Sequence, residues 1–161
     1  MGKRQLMICR KMQTEELNAT ITLFRYYAGE AHKFNEELGD EFDENSVIES
    51  IRARNIHPEY VWFNLYDNNR PVGFVSACIT QAPWNKEIHY AHIEMIFILE
   101  SHRNMDNFKI LLKNVEEWAR MFGAQKITGG DIGINPDRTK KVYNHLGFDE
   151  SCFMSKELEY V

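Results

Sequence analysis

Long apolar runs are missing from this sequence. No stretch approaches the ~18 consecutive apolar residues of a membrane-spanning helix, so no membrane partner is expected. Glycine and proline are sparse, 9 and 4 in 161 residues, which excludes collagen-like and low-complexity classes. Cysteine is scarce and odd in number: Cys9, Cys78 and Cys152 are widely spaced, each in an apolar run. A disulfide scaffold is thereby excluded, and buried free thiols in a reducing compartment are favoured over a redox or metal role. Positive charge is not in excess either. Nineteen Lys and Arg face 24 Asp and Glu, for a net charge of -5, so no nucleic-acid partner is expected. The start, MGKRQLMICRKMQ, is basic and then briefly apolar, but Arg10 and Lys11 interrupt it too early for a signal peptide. Gly2 lacks the Ser or Thr that myristoylation wants where Leu6 stands. A cytoplasmic location is the expectation.

What is present is an ordinary globular composition, 43% hydrophobic and 27% charged, on a chain of 19.0 kDa. That size predicts a single domain over residues 1–161, able to bury roughly 70% of its unfolded surface. Gln5 to Met12 reads as a strand and Thr14 to about Phe34 as a helix, with Leu17, Ile21, Phe24 and Ala28 on one stripe. Ser46-x-x-Glu49 is a capping-box pattern, predicting a second helix to about Asn55 that Pro58 stops. Tyr60 to Tyr66 and Pro71 to Thr80, joined by Asp67-Asn-Asn-Arg70, read as a hairpin. Ile88 to Leu99 is the next strand. Phe108, Leu111, Leu112, Val115, Trp118, Ala119 and Phe122 recur at helical spacing, ended by Gly123. Lys126 to Ile134 reads as a strand, Pro136 to Leu146 as a helix stopped by Gly147, and Ser151 to Leu158 as a last strand. The order β-α-α-β-β-β-α-β-α-β calls for an α/β (α+β) fold, a mixed sheet with helices on its faces.

Three features could carry chemistry. Glu94 is a carboxylate in the middle of an apolar strand, so it must be paired, protonated or facing a cleft. A structural salt bridge or an exposed edge would explain it equally well. On a regular strand Tyr90, His92, Glu94, Ile96 and Ile98 share one face and His89, Ala91, Ile93, Met95 and Phe97 the other; a bulge would reassign them. The turn from Glu100 to Asn107 runs into a helix N-terminus, where free N–H groups and Arg103 would suit a phosphate, or it is a plain polar turn. Tyr143, in Tyr-x-x-x-Gly-Phe, is either a proton donor or a packed aromatic. His89, His92 and His102 do not make a metal site, because the first two point to opposite faces and no cysteine lies near. Gly129-Gly-Asp-Ile-Gly133 lacks the spacing and the lysine of a nucleotide loop.

Together these pieces resemble the GNAT superfamily of N-acetyltransferases, in element order from about Met7 to Tyr160. The resemblance is most specific at Asn135 to Phe148, with its Tyr-x-x-x-Gly-Phe ending. It extends to Asn69-Arg-Pro-Val-Gly-Phe-Val-Ser-Ala and to Ile93-Glu-Met-Ile-Phe-Ile98. It implies a wedge between splayed strands that takes acetyl-CoA as co-substrate, with no metal. Pantetheine would bond to backbone at Ile96, Phe97 and Ile98. The pyrophosphate would sit on Arg103, Asn104, Met105, Asp106, Asn107, Phe108 and Lys109, with Asn135 also at the cofactor. Glu94 is implied as the general base and Tyr143 as the acid that protonates the departing thiolate. The chain departs from the family's loop pattern: Asp106 and Phe108 replace two small residues, and Asp106 brings a like charge toward the phosphates. Asn135 also lies one position further from Tyr143 than is usual, with Arg138 or Thr139 where alanine is customary.

The acceptor implied is a primary amine, either a small molecule or a protein lysine. Glu36, Glu37, Asp40, Glu41, Asp43 and Glu44 crowd the link between the first two helices, which favours a cationic acceptor or is simply a solvated acidic loop. The alternative to an enzyme is a GNAT-like binding or structural module that has lost acetyl-CoA affinity. A homodimer through the C-terminal strand is compatible with either.

Overall fold

The computed structural model describes residues 6–34, 41–130 and 136–150. Its strands are β1 (Met7–Lys11), β2 (Tyr60–Asp67), β3 (Arg70–Ala82), β4 (Asn85–Ile98) and β5 (Lys126–Gly129). The helices are α1 (Leu17–Phe34), α2 (Glu44–Ile56), α3 (Met105–Met121) and α4 (Pro136–His145), with short 3-10 turns at Thr14–Glu16 and Glu100–His102. They build one sheet in the order β1-β2-β3-β4-β5, antiparallel throughout except for the parallel β4–β5 pair. This is the mixed sheet that the element order predicts. The expected last strand, Ser151 to Leu158, and residues 131–134 of the expected strand at 126–134 lie outside the described residues.

Local chemistry explains the boundaries. Asn68 and Asn69 hold φ of 49° and 69°, the left-handed pair that a two-residue hairpin turn needs and that asparagine tolerates. Gly123 and Gly147, with φ of 66° and 88°, end α3 and α4 as expected. The start of α2 is a correction: its cap is Asp43, whose carboxylate accepts from the Ser46 N–H at 2.8 Å. The helix therefore begins at Glu44, and Ser46 belongs to its first turn. An aspartate at the cap suits the positive end of the helix dipole as well as the orphan N–H groups.

Two apolar layers sandwich the sheet. On one side α3 buries Leu111, Leu112, Val115, Trp118 and Ala119 against Val61, Leu65, Val75, Ala91 and Ile98. Leu111 is fully buried, so truncation to alanine there would cost about 2–5 kcal/mol. On the other side α1 places Leu17, Ile21, Phe24 and Tyr27 against Trp62, Phe74 and Phe97, with Ile51 of α2 closing the layer. No helix among the described residues is long and apolar enough to cross a membrane.

One irregularity in β4 matters for the site. Ser76 pairs with Met95 but Ala77 pairs with Ile93, so Glu94 is an extra residue with no partner across the ladder. This bulge shifts the alternation by one position. Ile96 and Ile98 join Ala91 and Ile93 in the α3-side layer, whereas Met95 and Phe97 lie in the α1-side layer. The regular alternation, with Glu94, Ile96 and Ile98 on one face, is thus replaced: Glu94 faces α2.

Candidate active site

The parallel pairing of β4 with β5 lasts four residues, from Tyr90↔Lys126 to Ile93↔Gly129. β4 runs on to Ile98, beyond the last rung it shares with β5, and beside this stretch lies a cleft of about 70 Å³. Its walls are the β4 segment 93–98, Phe108 and Leu112 of α3, Val142 and Tyr143 of α4, and Leu146 just after α4. Tyr27 and Arg103 close one end.

The bulge hands the Glu94 carboxylate to α2. Arg54 Nε donates to Oε2 at 2.8 Å and Nη2 to Oε1 at 2.9 Å, while the Ser76 hydroxyl donates to Oε2 at 2.7 Å. Burial raises the Glu94 pKa, but the hydrogen bonds from Arg54 and Ser76 outweigh it, with help from the charges of Arg54 and His92. The net position is below the usual carboxylate value. Glu94 is therefore an anion with both oxygens engaged, half-buried, at the mouth of the cleft.

Tyr143 stands opposite, on α4. Its ring meets Phe148 edge-on, centroids 4.9 Å apart, and its hydroxyl oxygen is buried. The ring passes directly over Gly129 at the end of β5, so close that a Cβ there would lie 2.9 Å from Oη. The last residue of β5 thus limits how closely the phenol can approach that strand.

The loop before α3 is tied down on all sides. Arg103 donates from Nη2 to both oxygens of Glu30 at 2.9 Å, and from Nε and Nη2 to the Ile98 carbonyl at 3.1 and 2.8 Å. Asn104 caps α3 by accepting from the Asn107 N–H at 2.9 Å, and the buried Asn107 donates to the His102 carbonyl at 2.7 Å. His102 in turn meets Asp67 at 2.8 Å, anchoring the loop to the hairpin. Asp106 and Lys109 are exposed and Met105 half-buried. The structure thus gathers Glu94, Ile96, Phe97, Ile98, Arg103, Phe108 and Tyr143 around one cleft; Asn104, Met105, Asp106, Asn107 and Lys109 are not in its lining. Asn135 lies outside the described residues.

Residues 22–148 match the Acetyltransferase (GNAT) family. The chain belongs to that family. Solved structures share its fold at low identity. An aminoglycoside N-acetyltransferase, AAC(6')-Iy in complex with CoA, superposes with a TM-score of 0.78 at 17% identity, covering 100% of this chain and 99% of the other. AAC(6')-Ih, an aminoglycoside 6'-N-acetyltransferase from Acinetobacter baumannii, gives 0.74 at 16%, covering 97% and 99%. A predicted acetyltransferase from Clostridium acetobutylicum, solved with acetyl-CoA, gives 0.74 at 14%, covering 95% and 96%. No curated protein sequence matches the chain.

Within this GNAT domain several residues acquire structural duties. His92 Nδ1 lies 2.9 Å from Thr128 Oγ1 across the last paired rungs, and no metal-binding group occurs among the described residues. Burial pushes the Cys9 thiol up to about 12; it also raises Cys78, where the Glu94 charge adds to it, so neither is a ready nucleophile. Of the acidic link, Asp43 caps α2 and Glu44 pairs with Arg25 at 2.6 Å, while residues 36, 37 and 40 lie outside the described residues. Four residues of the site escaped the sequence reading: Arg54, Ser76, Glu30 and Gly129. A carboxylate inside an apolar strand demands a cation, which makes the arginines of α2 the one available signal for Arg54.

Proposed function

We propose that the protein transfers an acetyl group from acetyl-CoA to a primary amine. One observation supports this reading: β4 continues past its last rung with β5 at the Glu94 bulge, and the cleft there has a carboxylate and a tyrosine in its lining. An alkylammonium has a pKa near 10.4 and must lose its proton before it can attack. Glu94 takes that proton, through a water at the second lone pair of Oε1. The amine nitrogen then bonds to the thioester carbonyl carbon, and backbone N–H groups along Ile96 to Ile98 steady the oxyanion. The carbon–sulfur bond breaks, Tyr143 gives its proton to the sulfur, the nitrogen loses its second proton to restore the phenol, and an N-acetyl amide and free CoA result.

A small polycationic amine is the favoured acceptor. The acidic link between α1 and α2 supports it, and the aminoglycoside acetyltransferases that share the fold act on such amines by their names. A protein lysine presents the same nucleophile. Action in the cytoplasm, by one domain spanning the chain, belongs to the same reading.

The Arg103–Glu30 pair favours a second reading. An arginine already satisfied by a carboxylate and a carbonyl has little left for a pyrophosphate, and Asp106 adds a like charge nearby. Under that reading the domain is a binding or structural module. Titration calorimetry with acetyl-CoA and with CoA separates the two. Binding near micromolar supports the transferase, and no heat at millimolar ligand supports the module. An acceptor screen with amines and lysine peptides follows.

A further inference from the structure

The fork on Glu94 reaches beyond the assignment of the base itself. Arg54 sits in the last turn of α2, forty residues from Glu94 in sequence. It uses two of its three nitrogens on the carboxylate and the third on Ser50, whose carbonyl and hydroxyl accept from Nη1. Its guanidinium also lies over the Tyr60 ring, 5.4 Å from the centroid. A side chain held at four points has almost no rotamer freedom left, and a planar fork fixes a carboxylate in both position and rotation. The bulge is what makes this contact: in a regular ladder Glu94 would sit in register with a residue of β3.

We propose that Arg54 is a positioning residue for acetyl transfer, fixing the Glu94 carboxylate at the bulge and keeping it an anion for the incoming amine. The proposal rests on the transferase reading for its catalytic part. Its electrostatic part concerns the free protein alone.

The groups facing Glu94 are few. From α2 comes Arg54; from β3, Ser76 and the half-buried Cys78; from β4 itself, His92; and from β2, Tyr60 beneath the guanidinium. Among the described residues Arg54 is the permanent positive charge hydrogen-bonded to Glu94, while Arg103 and Arg138 line the same cleft. Without Arg54, burial acts on the carboxyl with only the Ser76 hydroxyl and His92 opposing. The balance then shifts toward the neutral acid, which accepts no proton from an ammonium, so the base is available only from a higher pH.

The test uses two readouts on the full chain. The Glu94 carboxyl is titrated by carbon-13 NMR in the wild type, Arg54→Met and Arg54→Lys. The pH dependence of kcat/KM is measured with acetyl-CoA and either spermidine or kanamycin. Arg54→Met should raise the Glu94 midpoint by at least about one pH unit, and the acidic limb of kcat/KM should rise with it. Arg54→Lys keeps the charge but loses the fork, so it should restore most of the midpoint and less of the turnover. It also guards against a fold defect in the methionine variant. An unchanged midpoint in Arg54→Met overturns the proposal. So does a midpoint that rises while the acidic limb stays, since Glu94 would then not be the group the rate reports. If the wild type acetylates neither amine, the polycation reading fails, and the NMR midpoint still decides whether Arg54 holds the carboxylate as an anion.

Discussion

The Tyr143 ring lies over Gly129 with no room for a side chain between them: a Cβ would meet Oη at 2.9 Å and both Cε1 and Cζ at 3.0 Å. The neighbour is a ring wedged against Phe148, which cannot swing away as a flexible chain end would. Gly129→Ala should therefore push the phenol out of place. Overpacking of this kind costs about 1–3 kcal/mol, and the acid should lose its alignment with the cleft. Thermal melts should show lower stability and assays a reduced kcat. Combining it with Tyr143→Leu should recover much of the stability but no activity. A Gly129→Ala protein with wild-type melting and turnover would show that the ring can move freely.

A second prediction concerns acid stability, through Glu16. Its carboxylate is forked by Arg10 and also accepts from the Tyr66 hydroxyl and, at 2.8 Å, from the Gln13 N–H. The Arg10 hydrogen bonds are the largest influence; burial opposes them, and the pKa falls from 4.5 to about 2. A depressed folded-state pKa means that the stabilisation is whole above the unfolded value and disappears as pH falls from about 4.5 toward 2. Glu16→Gln should thus be less stable than wild type at pH 7, and most of the gap should close by pH 2.5. Urea melts followed by circular dichroism at pH 7, 4 and 2.5 measure it; a gap of constant size would remove Glu16 from the acid transition.

The elements were legible where a residue's own chemistry decides. Asn68-Asn69 marks the hairpin because left-handed backbone is a property of the residue, and α3 shows its apolar face through spacing alone. The site was legible only in part. Glu94 announces itself as a polar group in an apolar strand, and Tyr143 through its Tyr-x-x-x-Gly-Phe pattern. The bulge does not, because an extra residue in β4 is defined by its partner strand. Arg54 and Glu30 are 40 and 73 residues from the groups they hold, and nothing local in α1 or α2 selects them from the other charges there. Asp43 rather than Ser46 capping α2 is a smaller case: both carry suitable oxygens, and the packing of Ile51 and the Arg25–Glu44 pair decide the frame.

The two side chains assigned to proton transfer lead to a paired prediction. Glu94→Gln keeps the shape and most hydrogen bonds to Arg54 and Ser76 but removes the base. Tyr143→Phe keeps the ring over Gly129 but removes the acid. Each should cut kcat at least about tenfold, a floor below the roughly hundredfold to ten-thousandfold that a positioned acid or base contributes, with acetyl-CoA affinity preserved. Their pH profiles should differ, the glutamine variant losing the acidic limb and the phenylalanine variant the basic one. Wild-type turnover in both would place the chemistry on other residues.

The last prediction turns on Glu30, which binds Arg103 in a pair where the arginine is 14% exposed and the glutamate 20%. A pyrophosphate arriving at the start of α3 must compete with that carboxylate for the same guanidinium. Glu30→Gln removes the competitor but leaves Arg103 anchored to the Ile98 carbonyl, aimed along the cleft. Loss of a largely buried ion pair destabilises the free protein, because the arginine keeps its desolvation without its partner. Yet one negative charge fewer near the phosphates is worth at least about 1 kcal/mol at 4 Å, some fivefold in affinity. The variant should thus melt earlier without ligand, bind acetyl-CoA about fivefold to tenfold more tightly, and show a steeper loss of affinity with added salt. Stability and affinity moving in opposite directions separate this from a general fold defect, which would weaken both. An unaltered dissociation constant in calorimetry would mean that Arg103 serves the loop's architecture and never meets a phosphate.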